Sequence, residues 1–344
     1  MKANALFWGL ALLLLLLLPI WVQSPYSLHI FILLFIAIAT GASWNVLGGF
    51  AGQYSVGHAA YYGVGAYGAF ILLQAKHVAP WFGVWVAVAA SALIALIIGS
   101  ITFRLRGPYF VLASIAVAEI IRLAALNWKD LTNGAEGILA SDLPVLQFGD
   151  HLITDWNSKT PYYYMGLAMA AFCVAVNFAV KRSKLGYYLQ AIREDQDAAH
   201  SLGIPLTTTK NAGLIISAAC TALAGSFAAF YVGFIEPQQV FGLDVSVQLV
   251  LICIIGGIGT VTGPLVGAVV LVLLSEALRS NLIAEGLFKL GLSQTSAAGA
   301  FLKENLAHAH VLIYGILVIV VILYMPEGFV GFISARLRRK AAAK

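Results

Sequence analysis

The side chains of this sequence that could do chemistry are the few polar and ionisable ones that interrupt its apolar runs. One group, Asn45, Gln53, Ser55 and His58, falls where two such runs meet. Burying a polar group in apolar surroundings costs free energy unless it finds a partner, so these residues either line a path or pair locally. We favour local pairing for His58. The alternative is a histidine that takes up a proton or touches a cargo.

A second group contains carboxylates. Glu119 and Arg122 lie three positions apart, so on a helix their side chains share one face and can neutralise each other. We favour that local pair for Glu119 as well, and a proton-coupling carboxylate that lines a path is the alternative. Gln248 and Glu276 flank a glycine-rich stretch further along the chain.

Motifs for catalysis, nucleotide binding and metal binding are missing from the sequence. It contains no G-x-x-x-x-G-K-[ST] phosphate loop, no H-E-x-x-H zinc motif and no paired cysteines. Cys173, Cys220 and Cys253 lie within apolar runs, where cysteine behaves as a small hydrophobic residue. We therefore predict no catalytic residue, no metal site and no cofactor in this chain. An intramembrane enzyme built on His58 and a carboxylate would need a second nucleophile or a metal ligand, which the sequence does not provide.

The composition excludes a soluble fold. Of the 344 residues, 61% are hydrophobic and 10% are charged, and the mean hydropathy is +0.90. Soluble domains carry about 25% charged residues, so the chain is predicted to lie in a lipid bilayer. The net charge of +5 comes from basic residues at the ends of apolar runs, which is a topology signal and does not predict nucleic-acid binding.

The apolar runs predict an all-α polytopic membrane protein, with about ten transmembrane segments in a single domain, 1–344. The segments are roughly 5–22, 28–48, 52–74, 80–103, 109–126, 162–180, 210–232, 245–259, 262–278 and 309–325. The first resembles a signal peptide, but no small-residue cleavage site precedes Pro19, so we expect it to be retained. The pair 245–259 and 262–278 makes two passes if the helix between them is broken or re-entrant.

Lysine and arginine residues gather on one side of the predicted membrane, which is the cytoplasmic side by the positive-inside rule. They are Arg104, Arg106, Lys181, Arg182, Lys184, Arg193 and, in the basic tail 335–344, Arg336, Arg338, Arg339 and Lys340. Alternation of the segments then places both the N- and C-termini in the cytoplasm.

The loops 127–160 and 281–307 fall on the external side of this topology. The first is acidic and rich in turn-forming residues, which predicts a compact structured loop. Asp130, Glu136 and Asp142 are its candidate contacts for an external partner, and the alternative is a plain connector. Residues 281–307 are mildly amphipathic and predict an interfacial helix.

Residues 181–210 form the longest polar stretch between two membrane-length apolar runs. They comprise the predicted cytoplasmic loop 181–209 and the lysine that follows it, Lys210. A first amphipathic helix is predicted there, closed by Arg193. Its apolar residues at helical spacing are Leu185, Tyr188, Leu189 and Ile192. Glu194 and Asp195 supply acceptors and negative charge for the start of a second short helix, and Gly203 stops it. Such a pair is suited to being pushed by a partner, and the alternative is an ordinary basic loop.

Two belts of small residues are typical of closely packed membrane helices. The first contains Gly48, Gly49, Gly52, Gly57, Gly63, Gly65 and Gly68, and the second contains Gly256, Gly257, Gly259, Gly263 and Gly267. Gly259, Gly263 and Gly267 recur every fourth residue, which predicts one helix face. The stretch 256–264, which ends at Pro264, also predicts a broken helix, and broken helices in transporters can expose backbone groups to cargo. We favour packing over direct contact with cargo.

Several of these motifs together resemble one family, the branched-chain amino-acid ABC transporter permeases, specifically the LivM-type subunit. The resemblance begins with NVLGGFAGQYSVGHAAYYGVGAYGAF at 45–70 and continues through TNGAEGI at 132–138. It resumes at 186–203, which is similar to the cytoplasmic coupling motif, and at GGIGT, 256–260, followed by Gly263 and Pro264. It ends at Pro326-Glu327-Gly328, where the family often has a basic residue in place of Glu327. Residues 281–307 match poorly.

The resemblance implies a type II-like importer. A second homologous permease would complete the pore, two cytoplasmic ATPase subunits would bind ATP and Mg²⁺, and a periplasmic or extracellular solute-binding protein would deliver the cargo. It also implies contact with the ATPases through Gly186, Ala191, Arg193, Glu194, Ala198 and Gly203.

The predicted function is therefore the non-catalytic permease subunit of an ATP-driven importer for branched-chain or related apolar amino acids, in a bacterial cytoplasmic (inner) membrane. An importer of urea or short amides is the alternative within the family. A proton-coupled secondary carrier, with Glu119 or His58 as the proton acceptor, is the alternative from another class.

Overall fold

The structure, a computed structural model, is mostly α-helical. It describes residues 2–22, 24–76, 79–139, 147–148, 151–152 and 158–279, with short pieces at 315–316, 319, 323 and 328–332. The predicted interfacial helix 281–307, most of the predicted segment 309–325 and the basic tail 335–344 lie outside the described residues.

The helices and strands follow in chain order. They are α1 (Lys2–Trp21), α2 (Pro25–Trp44), a π-helical turn (Asn45–Gly49), α3 (His58–Lys76), α4 (Pro80–Thr102), α5 (Pro108–Asn127), α6 (Lys129–Thr132), a 3₁₀ turn (Gly134–Glu136), β1 (Ile138–Leu139), β2 (Gln147–Phe148), β3 (His151–Leu152), α7 (Thr160–Arg182), α8 (Lys184–Glu194), α9 (Gln196–Ser201), α10 (Leu206–Val232), β4 (Phe234–Ile235), α11 (Pro237–Val240), α12 (Leu243–Gly256) and α13 (Gly263–Arg279).

Among the described residues, six helical stretches are long and apolar enough to cross a membrane. They are Pro25–Gly49, Pro80–Thr102, Pro108–Asn127, Thr160–Arg182, Leu206–Val232 and Pro237–Gly256. Leu12–Trp21 in α1 and Gly263–Ala277 in α13 are shorter apolar stretches. The chain is therefore an all-α polytopic membrane protein.

Helix α10 lies at the centre of the bundle and packs against α2, α3 and α4. Glycines make these contacts close. A methyl group at Gly65 of α3 would overlap the backbone of Ala222 in α10, and one at Gly225 of α10 would overlap the backbone of Tyr62 in α3. Dispersion between helices drives association in lipid, so removing the side chain at these points brings whole backbones into contact. The first predicted glycine belt is a packing surface here.

The predicted segment 52–74 is partly wrong, because the helix begins only at His58. Gly52 has φ of +65°, and 52–57 is not helical although several of its residues are buried. Neighbouring side chains satisfy its backbone: Trp44 Nε1 donates to the Ser55 carbonyl at 2.7 Å, and Val56 N donates to Ser114 Oγ at 3.0 Å. Irregular backbone is tolerated at membrane depth when protein groups take over its hydrogen bonds.

The predicted break near 256–264 is confirmed, because α12 ends at Gly256 and α13 begins at Gly263. The predicted one-face ladder is wrong at its first member. Gly259 lies in the connection with φ of +75°, whereas Gly263 and Gly267 lie on α13. A methyl group at Gly267 would overlap the carbonyl of Ile252 in α12. A four-residue spacing occurs on one face of a helix, and it also occurs where a turn leads into a helix. The spacing alone therefore does not show whether Gly259 lies on α13 or in the connection before it.

Helix α1 docks on α7 through a backbone carbonyl that lacks a partner within its own helix. Pro19 has no N–H, so the carbonyl of Leu15, four residues earlier, receives no helical hydrogen bond. The hydroxyl of Tyr163 in α7 donates to that carbonyl at 2.7 Å. Tyr164 donates to the carbonyl of Leu16 at 3.3 Å, which Pro19 does not affect.

We expect Tyr163→Phe to loosen α1 by about 1 kcal/mol, because an unpaired carbonyl in lipid is unfavourable. In a Pro19→Ala background the helix supplies its own donor to Leu15, so the same substitution should cost much less. Thermal unfolding and protease accessibility of α1 in micelles would measure both. Tyr164→Phe is the matched control, and its effect should be equal in the two backgrounds. Equal effects of Tyr163→Phe in both backgrounds would contradict this assignment.

Candidate functional site

One end of the bundle, called the basic end below, carries Arg104, Arg106, Lys181 and Arg193. Arg106 joins the α4–α5 turn to α9 through an ion pair with Asp197 at 2.9 Å. Both side chains are largely exposed, so the pair contributes little to stability and serves mainly to identify the segments that meet there.

Helices α8 and α9 form a capped pair at the basic end, as the sequence predicts. Ser183 Oγ accepts from Gly186 N at 3.2 Å at the start of α8, and Asp195 Oδ1 accepts from Asp197 N and Ala198 N at the start of α9. Gly203, with φ of +82°, ends α9. Side-chain caps of this kind each stabilise a helix start by about 1 kcal/mol.

The pair has one buried and one exposed side. Leu189 and Ile192 of α8 and Ala199 of α9 are buried against the bundle. Gly186 permits the sharp turn from α7, because a methyl group there would overlap the carbonyl of Val180. The exposed side includes Arg193, Glu194 and Ala198, whereas Ala191 is half-buried.

The last turn of α2 is a meeting point for three other helices. Its carbonyls accept side-chain hydrogen bonds: Gly41 from Cys253 Sγ of α12 at 3.1 Å, Ala42 from Asn177 Nδ2 of α7 at 2.6 Å, and Ser43 from Ser217 Oγ of α10 at 2.7 Å. A π-helical turn follows directly, and such turns often occur at functional positions.

The connection between α12 and α13, loop 257–262, is held against this turn by Asn45. The Asn45 amide donates from Nδ2 to the Thr260 carbonyl at 2.9 Å and accepts at Oδ1 from Gly259 N at 3.0 Å. Two cations bind carbonyls beside it: Lys181 Nζ donates to Gly259 O at 3.1 Å and Arg193 Nη1 donates to Gly49 O at 2.8 Å. We call Asn45, Gly49, Lys181, Arg193 and the Gly259–Thr260 pair the carbonyl cluster.

His58 is fully buried, and both of its ring nitrogens have partners within the protein. Nδ1 lies 2.9 Å from Ser55 Oγ and Nε2 lies 2.8 Å from Ser217 Oγ. Ser217 Oγ in turn donates a hydrogen bond to the carbonyl of Ser43. Gln53 does not join this group, because its amide donates to the Ala51 carbonyl at 3.4 Å. The predicted polar cluster is thus divided: Ser55 and His58 form one network, Asn45 belongs to the carbonyl cluster, and Gln53 joins neither.

Glu119 and Arg122 form the predicted pair on α5, with Arg122 Nε donating to Glu119 Oε2 at 2.8 Å. The Glu119 side chain is 49% exposed, so the pair lies on the outside of the described bundle. Gln248 of α12 is exposed as well, whereas Glu276 of α13 accepts a hydrogen bond from Tyr26 of α2 at 2.8 Å.

Comparison with known proteins identifies the family. Residues 26–322 match the family described as "Branched-chain amino acid transport system / permease component". The chain belongs to this family.

Curated relatives of the permease agree with this. The LivM permease protein of the high-affinity branched-chain amino acid transport system of Salmonella typhimurium is 28% identical over 275 residues, and that of Escherichia coli is 27% identical. Each match covers 74% of this chain and 64% of the relative, so the chain spans less than two thirds of their length. The LivH permease protein of Salmonella typhimurium is 24% identical over 251 residues, with 69% of this chain and 79% of the relative covered. No solved structure matches the chain.

Asp130 and Glu136, two of the acidic residues proposed for an external partner, lie at the end of the bundle opposite the basic end. Asp130 on α6 and Glu136 on the 3₁₀ turn are exposed, and Asp142 lies outside the described residues. This region is tied to the bundle by the antiparallel pair β1–β4, in which Ile138 faces Ile235.

Sequence reasoning missed two lysines of the permease. Lys181 and Lys210 were interpreted only as basic flanks of a loop, yet Lys181 binds Gly259 O, and Lys210 is 1% exposed with Nζ 3.0 Å from Gln196 Oε1. Lys210 thereby pins α9 to α10. The burial of Lys210 could have been anticipated, because it adjoins a membrane-length apolar run, whereas the partner of Lys181 lies 78 positions away in the sequence.

We expect Asn45→Asp to lower the free energy of unfolding by about 2 kcal/mol or more. The substitution keeps an acceptor for Gly259 N but places a negative oxygen against the Thr260 carbonyl. Thermal unfolding of the purified permease would measure the loss. Asn127→Asp is the matched control, because the exposed Asn127 amide bonds only the Leu123 carbonyl of its own helix. Similar losses in the two variants would rule out the specific role of Asn45.

Proposed function

We propose that this chain is the membrane-spanning, non-catalytic permease subunit of an ATP-driven importer for branched-chain or related apolar amino acids. The observation that carries the proposal is the family match over residues 26–322, in a chain whose motif region 186–203 forms the capped helix pair α8–α9. The membrane would be a bacterial inner membrane, with the basic end and both termini in the cytoplasm, because basic residues concentrate on the cytoplasmic side.

The assembly would be type II-like, with about ten spans in this chain. A second homologous permease would complete the pore, and two ATPase subunits carrying ATP and Mg²⁺ would dock on the exposed side of α8 and α9. An external solute-binding protein would rest on the opposite end, near Asp130, Glu136 and Asp142. The names of the relatives support the presence of two kinds of permease, since LivM and LivH proteins both match the chain.

The outward faces of α5 and α12, two helices that contact each other, would line the translocation path or contact the second permease. These faces carry polar groups at membrane depth: the Glu119–Arg122 pair, Asp244 and Gln248. A half-exposed carboxylate facing hydrocarbon would be unfavourable, so a water-filled path or a protein neighbour fits this surface better than lipid does.

Transport would follow from movement of α8 and α9. When the ATPases close around ATP they would push this capped pair, and the bundle would tilt along its glycine contacts to switch access between the two sides. Asn45, Gln53, Ser55 and His58 would shape the inner half of the bundle, and their hydrogen bonds within the protein argue against a role for His58 as a proton carrier.

Reconstitution tests the function directly. Vesicles containing this permease, a LivH-type permease and the ATPase pair should accumulate labelled leucine when ATP is inside and the binding protein is outside. Urea in place of leucine tests the alternative cargo, and the chain alone under a proton gradient tests the secondary carrier. Gradient-driven uptake by the chain alone, lost in Glu119→Gln, would overturn the proposal.

Single substitutions at Arg193 and Glu194 should separate two roles that adjoin in sequence. Arg193→Ala removes the bond to Gly49 O, so we expect the ATPases to bind and hydrolyse ATP while uptake falls roughly tenfold. Glu194→Ala alters only the exposed side, so we expect weaker ATPase binding with an unchanged ratio of uptake to hydrolysis. Lys129→Ala at the opposite end is the control. Normal uptake in the Arg193/Glu194 double alanine variant would refute coupling through α8.

A further inference from the structure

Two cations at the basic end bind backbone carbonyls where a carboxylate would be the usual partner. Lys181 lies in the last turn of α7 and donates to Gly259 O at 3.1 Å. Arg193 lies in the last turn of α8 and donates to Gly49 O at 2.8 Å. Within the described residues, the ion pairs are Arg106–Asp197 and Arg122–Glu119, so neither cation is neutralised there by a carboxylate within 4.0 Å. Hydrogen bonds from a charged donor are roughly twice as strong as neutral ones.

The loop that receives Lys181 has its own internal order. Gly257 and Gly259 adopt positive φ of +125° and +75°, and Thr260 Oγ1 donates to the Gly257 carbonyl at 2.8 Å and accepts from Gly263 N at 2.9 Å. With Asn45 bonded to Gly259 and Thr260, the loop keeps its shape, and the carbonyl of Gly259 is presented to Lys181.

The loop is also continuous with a closely packed helix pair. A methyl group at Gly256 would overlap the Gly263 carbonyl, and one at Gly267 would overlap that of Ile252. The backbones of α12 and α13 therefore touch, and the loop with both helices forms one hairpin. A displacement applied to Gly259 would be passed to the whole hairpin, because close-packed backbones do not deform separately.

We propose that Lys181 is a positioning residue, which together with Arg193 transmits the movement of α8 to the α12–α13 hairpin through the carbonyls of Gly259 and Gly49. The inference rests on the proposed function and deepens it by naming the mechanical link. Lys181 fixes the hairpin to the end of α7, and Arg193 fixes the π-helical turn of α2 to the end of α8.

Gly259 accepts the bond from Lys181 and lies beside the bond from Arg193, because an added Cβ at Gly259 would be 3.0 Å from Gly49 O. Its missing side chain leaves room for the Arg193 guanidinium, which a methyl group at this position would overlap. The aliphatic part of Arg193 also lies over Gly52, where an added Cβ would be 3.1 Å from Arg193 Cγ. Glycine at this position thus suits the positive φ and lets the Arg193 guanidinium keep its place beside Gly49 O.

The first test substitutes Lys181 with methionine, which keeps the length and apolar stem and removes the donor. We expect amide hydrogen exchange in 257–262 to rise in the isolated permease, and uptake per ATP hydrolysed to fall about tenfold in the full complex. Lys181→Arg keeps a charged donor and should restore most of both. Arg182→Met is the matched control, because Arg182 stacks on Phe178 at 4.1 Å and removing it deletes the same charge from the same helix end.

The second test uses two glycines with nearly equal backbone angles. Gly259→Ala strains a residue at φ of +75° and displaces Arg193, whereas Gly233→Ala strains one at +77° with nothing within 4 Å of the added methyl group. We expect uncoupled ATP hydrolysis from Gly259→Ala alone. Equal uptake per ATP in the two variants would show that backbone strain, and not the link to Arg193, governs that position.

The outcomes separate the link from the function. Unchanged exchange in Lys181→Met overturns the contact, and raised exchange with normal uptake per ATP overturns its role in transmission. A wild-type complex that hydrolyses ATP without moving leucine or urea would overturn the proposed function instead, and the exchange measurement on the isolated permease would still decide whether the contact exists.

Discussion

Inside a lipid bilayer every backbone carbonyl released from a helix must find a donor within the protein, and this constraint explains several of the buried polar residues that the structure describes. The backbone leaves regular α-helical bonding where Pro19 interrupts α1, in the irregular stretch 52–57, and in loop 257–262. Tyr163, Trp44 and Asn45 each supply a donor at one of these places. Leaving such a carbonyl unpaired is unfavourable, whereas a neutral polar side chain that is itself paired can be buried at little cost.

This use of polar side chains changes the interpretation of residues that first suggested chemistry. Ser217 and Asn177 bond the carbonyls of α2, and His58 is enclosed by two serine hydroxyls. A histidine whose two nitrogens are both occupied is poorly placed to exchange protons with a path. These buried polar groups therefore bond the backbone at helix ends and helix breaks. Such a role is compatible with the proposed non-catalytic subunit, in which ATP is hydrolysed by other chains.

Local signals made part of this structure predictable. Asp195 encodes the start of α9 through its side-chain acceptor and Gly203 encodes its end through a positive φ, and apolar runs encode the long helices. These features could therefore be derived without knowing any partner. The bond from Lys181 to Gly259 joins residues 78 positions apart, and no local pattern encodes such a distance. Likewise, the irregular backbone at 52–57 depends on a donor on α2 and an acceptor on α5, which no local pattern reveals, so the apolar run predicts a continuous helix there.

The same constraint indicates how a rigid bundle can have a movable part. A continuous helix resists bending because each turn is bonded to the next, whereas loop 257–262 replaces those bonds with single contacts to Asn45 and Lys181. Such contacts can rotate or exchange one at a time, each at a cost of about 1–3 kcal/mol, a range that a partner's binding energy can supply. Glycine contacts between α12 and α13 keep the hairpin intact meanwhile, since their backbones touch without side chains to re-pack. Movement is therefore expected to concentrate at the carbonyl cluster, where hydrogen bonds from Asn45, Lys181 and Arg193 link α2, α7, α8 and the hairpin.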